Sequence, residues 1–526
     1  MLPVVDAIRT EALRPNNDPI GKPLPLFARW NNALYLGEKQ GYEPNSPYHP
    51  DRILEAIEQG HYVLPYFQLI PNGWAWASEE KAIKRFAQLR LPINITTGQP
   101  EMGLCQPPYV NLPPELSPCV VKLDGTRENR LSPFGSTPLW RDVAQKWIKE
   151  PWIWEPKRPQ TLEQWYPNPP LVLWSFNNEA GKLAWTEVEN EKRYMDLYGA
   201  GRSNEFKRAI VAEGWIERYS ALRDGIRSGL SPTWANKSVI TGYNAFIGYE
   251  IFRWWGWGDY ALSVPGKFLD PNPLIWEGGS PDYYAYDWNG SSDHTVWGPQ
   301  VGSMSYVFAL REALRINPNF WWELSTWDGS YTKRQHYERE DQKPYTPNRY
   351  QGFMQFGLWL NRPRVLREFQ FQEVSASVAQ TYSLKLMDAV DRVHTTPLLR
   401  RFWRRGALVP HPTQGHPWQD SVPSQFANRK RWFMLDCDIN PPYPWSGTEN
   451  YGLDIPVFAI AYRLGATPNR EWLIIAYSPR GNRSGVTLKL PGYGSVKADI
   501  KVEGSMYHVV EGQGVKPVLS GQQPVQ

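Results

Sequence analysis

At 526 residues the chain is too long for one ordinary domain and long enough for a large barrel plus an accessory module. Its 57 basic and 53 acidic residues leave a net charge of +4, which gives no single-sign field of the kind that carries binding to nucleic acid or a membrane surface. No stretch is apolar enough to span a bilayer and no basic, apolar-cored leader opens the sequence. The chain therefore reads as soluble, secreted or periplasmic if a leader has been removed and otherwise cytoplasmic. Among its 27 Trp and 28 Tyr, some rings can stack on sugar faces while others fill the core. The three cysteines lack metal-type spacing; Cys105 and Cys119 can close one loop disulfide, or all three can remain thiols.

Residues 1–23 are polar and proline-containing and read as an extended lead-in. Leu24–Tyr35 follows as a first strand with Arg29, Trp30 and Asn31 near its end. Asp51 caps a helix that carries Ile53, Leu54 and Ile57 on one face and stops at Gly60. A second strand at 61–70, a helix with Ile83, Phe86 and Ala87 as its stripe, and a third strand at 91–97 with Asn94 come next. This alternation predicts a parallel α/β sheet. Residues 98–138 form a long excursion rich in Pro and Gly, of the kind that is functional more often than idle.

After a helix at 139–149, the apolar run 170–176 reads as a buried fourth strand that ends in the polar pair Asn178-Glu179. A long helix spans 203–227, with Val211, Trp215, Tyr219, Leu222 and Ile226 at helical spacing. A fifth strand covers 239–246, followed by an aromatic loop that includes Trp257. A sixth covers 282–288, with Tyr286 and Trp288, and leads to a loop containing Asp293 and His294. Glu323 lies inside the aromatic strand 319–329, which also holds Trp327. Residues 350–360, with Trp359, read as an eighth strand before a closing helix. Beyond 395, short β-type runs at 457–462, 471–477, 485–490 and 496–502 predict a β-sandwich. The organisation expected is a lead-in at 1–23, an alternating strand–helix unit at 24–395, and a linker with sandwich at 396–526.

An Asn-Glu pair closing one barrel strand, with a lone Glu on a later aromatic strand, resembles the clan A glycoside hydrolases. The resemblance implies that the unit at 24–395 is a catalytic (β/α)8 TIM barrel, and it guided the count of eight strands. It also implies a retaining mechanism in which Glu179 is the acid/base, Asn178 its companion and Glu323 the nucleophile. Arg29 then matches a first-strand arginine that supports the nucleophile, and Tyr286 or His294 a donor from strand six. Such chemistry needs a carboxylic acid to protonate the leaving oxygen and a carboxylate on the opposite face of the sugar, with no metal or organic cofactor. The partner implied is an oligo- or polysaccharide, with Trp30, Trp174, Trp257, Trp288, Trp327 and Trp359 as aromatic platforms near the strand ends, some of them core instead, and Asn94 as a substrate contact or a structural hydrogen bond. Arg362, Arg364 and Arg367 form a group suited to an acidic polysaccharide, or to a solvated helix start. Two other functions stay open: a non-catalytic carbohydrate-binding protein on a hydrolase scaffold, and a polysaccharide lyase.

Overall fold

The computed structural model describes residues 2–30, 51–68, 76–97, 100–149, 159–176, 181–243, 272–284, 298–327, 347–369, 376–415, 430, 432–441, 455–479 and 481–518. Eight parallel strands form its centre: β1 (Leu26–Arg29), β2 (Tyr66–Gln68), β3 (Ile93–Thr97), β4 (Val172–Phe176), β5 (Ser238–Tyr243), β6 (Gly278–Ser280 and Asp282–Tyr284), β7 (Trp321–Trp327) and β8 (Val365–Glu368). Each pairs with its neighbour in sequence from β2 to β8, and β8 pairs in turn with β1. The circle closes between β1 and the lead into β2, where Phe27 N donates to the Tyr62 carbonyl and Leu64 N to the Phe27 carbonyl, each at 2.9 Å. Helices cover the outside, and the short strands β1 and β4 are buried along their whole length. The fold is a (β/α)8 barrel with antiparallel sheets after it.

Two expectations are corrected. Residues 2–13 are helical, with Val5, Ile8 and Ala12 buried at spacings of three and four, so an amphipathic stripe was present in a segment read as extended. Residues 347–361 are also a helix, and the eighth strand lies just beyond it at Val365–Glu368. That helix is buried on nearly every side, because barrel strands lie against one flank and the C-terminal sheet against another. An apolar run without a polar face has no periodicity by which to tell helix from strand.

Close approach makes the helix tight. A Cβ on Gly357 would overlap the Tyr283 ring, which stacks on Phe353 with centroids 4.1 Å apart and donates its hydroxyl to the Phe353 carbonyl at 3.1 Å. Gly357→Ala is expected to destabilise the protein by about 1–3 kcal/mol through overpacking, despite the better helix propensity of alanine. Chemical denaturation reads this directly; an unchanged or raised midpoint would show that Tyr283 yields at no cost.

The C-terminal module has a five-stranded sheet, Ala407–Leu408, Phe458–Leu464, Glu471–Tyr477, Ser505–Val510 and Gly514–Pro517, and a three-stranded sheet, Asp436–Cys437, Arg483–Leu490 and Gly494–Ile500. The larger sheet is buried on both faces. Ala459, Ala461, Ile474 and Ala476 pack against Val486, Leu488 and Ala498 of the smaller sheet, whereas Phe458, Tyr462 and Tyr477 point toward the barrel helix that carries Phe356 and Trp359. Alternation of side chains along a strand thus divides these residues between two interfaces.

Candidate active site

Barrel enzymes place their chemistry at the C-terminal ends of the strands. β4 ends at Phe176, three residues before Glu179. Asn178, Glu179, Trp257, Tyr286, Trp288 and His294 lie outside the described residues. Trp327 is the last residue of β7.

Glu323 points into the barrel. Trp321 and Glu323 share a face of β7, with Trp321 Nε1 donating to Glu323 Oε1 at 2.8 Å, while Trp322 between them packs outward on Tyr306. Arg367 of β8 meets the same carboxylate: its Nε donates to Oε2 at 2.7 Å and its Nη2 to Oε1 at 3.0 Å. Its Nη1 reaches Asn94 Oδ1 at 2.7 Å and the Arg29 carbonyl at 2.9 Å. Because β8 and β3 are not neighbours, the Arg367–Asn94 bond passes through the lumen. Asn94 Nδ2 continues the network to the Leu173 carbonyl and Ser175 Oγ on β4, both at 3.0 Å. Glu323, Arg367 and Asn94 have no solvent exposure. Buried charges persist only when paired and hydrogen-bonded, and four of the five guanidinium donors are used in this way.

Trp30 covers the pair. Its ring lies 4.8 Å from the Arg367 guanidinium carbon, and its Nε1 donates to Ser325 Oγ at 2.8 Å. Ser325 is two residues beyond Glu323, on the same face and nearer the mouth. Glu323 itself is third in a seven-residue strand, which sets it about 13 Å of strand path below Trp327.

Several expected sites lie elsewhere. Arg29 faces outward: it pairs with Glu368 at 3.2 Å, and Glu368 also accepts from Ser383 Oγ at 2.7 Å on the helix Ala376–Thr395. Burial raises the Glu368 carboxyl above its ordinary range, against the opposing pull of Arg29. The arginine that supports Glu323 is therefore Arg367, not Arg29. β8 lies at Val365–Glu368 and not at 350–360, and its register beside β1, with Arg29 opposite Glu368, turns Arg367 inward where Arg29 turns outward. Neither Trp359 nor Trp174 is a sugar platform: Trp359 is buried against Trp403, 5.2 Å between centroids, and Tyr462, 5.8 Å, and Trp174 is buried against Trp234 with its Nε1 donating to Ser238 Oγ at 3.0 Å. The three arginines do not converge either. Arg362 Nη1 donates to the Trp403 and Gly406 carbonyls at 3.0 and 2.8 Å, Arg364 reaches Asn16 and the Arg14 carbonyl at 3.1 and 2.7 Å, and Arg367 is in the lumen.

Another buried carboxyl was not anticipated. Glu101, four residues past β3, is sealed beside Tyr219, whose hydroxyl donates to Oε1 at 3.4 Å. Burial, opposed by Lys182, its own backbone amide and Tyr219, pushes it up to about 7. Its folded-state value thus exceeds its unfolded one. It should favour the folded state fully below about pH 4.5, and that contribution should be lost as pH rises toward 7, on the order of 3 kcal/mol in all. Glu101→Gln is expected to flatten this part of the stability profile. Parallel profiles for variant and wild type between pH 4.5 and 7 would show that Glu101 titrates normally.

Among the described residues no group of three or more His, Cys, Asp or Glu is arranged to hold a metal ion, and no helix is long and apolar enough to cross a membrane.

No protein family and no curated protein matches the chain. Among solved structures it is similar to a glycoside hydrolase family 36 α-galactosidase from Geobacillus stearothermophilus in complex with raffinose, at 10% identity and a TM-score of 0.37, covering 99% of this chain and 56% of that one. A second structure of that enzyme, with 1-deoxygalactonojirimycin, gives 11% identity and a TM-score of 0.40 over 98% of this chain and 58% of that one. A family 26 modular endo-β-1,4-mannanase from Cellulomonas fimi gives 10% identity and a TM-score of 0.33, covering 98% and 96% of the two chains. The chain spans little more than half the length of the α-galactosidase. At such scores the barrel assignment rests on this chain's own strand order and pairing.

Proposed function

We propose that this chain is a retaining glycoside hydrolase acting on an oligo- or polysaccharide, with Glu179 as acid/base and Glu323 as nucleophile. The observation that best supports this reading is a carboxylate on the lumen face of β7, its charge balanced by Arg367, in a barrel whose β4 ends three residues before Glu179. In the first step Glu323 attacks the anomeric carbon while Glu179 gives its proton to the leaving oxygen. In the second, water, deprotonated by Glu179, releases the sugar from Glu323. Attack needs an acceptor position on Glu323 that is not already committed. Oε1 accepts from both Trp321 and Arg367, whereas Oε2 accepts only from Arg367 Nε among the described residues, so Oε2 is the attacking atom.

A second reading is favoured by the complete burial of Glu323 beneath Trp30. On that reading the pair is structural, and the protein binds carbohydrate without cleaving it. Screening purified polysaccharides for new reducing ends separates the two: wild type releases them and Glu179→Gln does not. Sugar binding that survives Glu179→Gln, with no product from wild type, would establish the binding protein. A bonded Cys105–Cys119 pair fits an oxidising compartment, in keeping with a secreted or periplasmic location.

A further inference from the structure

The excursion between β3 and β4 is fastened to the chain that leaves the β4 loop. Cys105 and Cys119 are bonded across it, their Cα atoms 5.6 Å apart, and the strands Cys119–Val121 and Arg127–Leu131 form a hairpin behind the bond. From this hairpin three attachments reach residues 181–193. Leu131 N donates to the Gly181 carbonyl at 2.8 Å, and the Leu131 carbonyl accepts from Leu183 N at 2.9 Å. Arg130 pairs with Glu187 at 2.8 Å. The third attachment is Glu191, whose carboxylate is fully buried.

Glu191 collects donors from both sides. Its Oε1 accepts from Val121 N at 3.4 Å, Ser132 Oγ at 3.2 Å and Arg193 Nε at 2.7 Å, and its Oε2 accepts from Tyr194 N at 3.1 Å. Arg193 Nη2 carries on to the Cys119 carbonyl at 2.7 Å, beside the disulfide. On the other side of the loop, Phe176 is held in the sheet between Thr97 and Gly242. The described chain on either side of residues 177–180 is thus held, at Phe176 by the barrel and at Gly181 by the excursion.

We propose that the disulfide-braced excursion 100–132 positions Glu179, and that Glu191 is the positioning residue that joins excursion to loop; this rests on the reading of Glu179 as acid/base. None of these groups touches substrate. They act by fixing where the loop leaves the barrel, and a proton donor displaced by about 1 Å can lose up to a hundredfold in rate.

The test uses Glu191→Gln, the double variant Cys105→Ser/Cys119→Ser, and wild type treated with a thiol reductant, which cleaves the disulfide to two thiols as the reductant is oxidised. Each is compared with untreated wild type for kcat and KM on the polysaccharide found by screening, and for amide exchange in peptides covering 177–184 and 458–464. The expected result is a fall in kcat of about 10- to 100-fold with KM little changed, together with faster exchange at 177–184 and none at 458–464. Should Glu191→Gln fail to fold, the cysteine variant and the reduced protein carry the comparison. Unchanged kcat, or exchange that rises equally in both peptides, overturns the proposal by showing a brace with no more than a structural role. A wild type that hydrolyses nothing defeats the hydrolase reading instead, and the positioning role falls with it.

Discussion

Arg367→Met is expected to lower stability by about 3–5 kcal/mol, the cost of leaving a buried carboxylate without its counter-charge. Glu323 has no solvent exposure and, among the described residues, takes two of three hydrogen bonds from this one guanidinium. The same substitution strips Asn94 of its donor across the lumen. Urea unfolding should show the loss as a lower midpoint at constant slope. Adding Glu323→Leu should recover most of it, since an apolar pair of similar volume carries no desolvation cost. If Arg367→Met instead stays within about 1 kcal/mol of wild type, water reaches Glu323 in solution. The lumen would then be open beneath Trp30. That outcome would strengthen the catalytic reading while contradicting the sealed geometry.

Removing the proposed acid/base should have the larger effect on rate. Glu179→Gln is expected to lower kcat by about 10²–10⁴-fold on a natural glycoside, whose leaving oxygen must be protonated as the bond breaks. Substrates with an activated aryl leaving group need less protonation, so their first step should suffer less. Glu323→Gln should abolish turnover of both substrate types, because no acidic leaving group replaces a nucleophile. Since Glu323→Gln also removes the charge that Arg367 faces, its activity is to be compared at a temperature where both proteins are folded. Equal loss on both substrate types for Glu179→Gln would assign that residue a role other than proton donation. Wild-type rates in either variant would eliminate the pair as catalysts.

How much of this was legible beforehand varies by element. The runs that became β3, β4, β5 and β7 are bounded by turn or capping residues and are short, apolar and rich in β-branched or aromatic residues, so local pattern identified them. The long strands of the sandwich were legible for the same reason, even though their two faces serve different interfaces. The helix Leu2–Leu13 carried an apolar stripe that the polar residues around it masked, and the helix Pro347–Asn361 carried none because it is buried nearly all round.

The sequence alone determined that the chain alternates strand and helix, that a β-rich module follows, and that carboxylates sit on or just past apolar strands. Only the tertiary structure decided which arginine meets Glu323. In a strand the facing of side chains alternates with every residue, so Arg29 and Arg367 have opposite fates on adjacent strands: one turns out to Glu368, the other turns in to Glu323. Where each strand begins within a closed barrel sets that parity, and it depends on hydrogen-bond register between segments hundreds of residues apart, which no local pattern encodes.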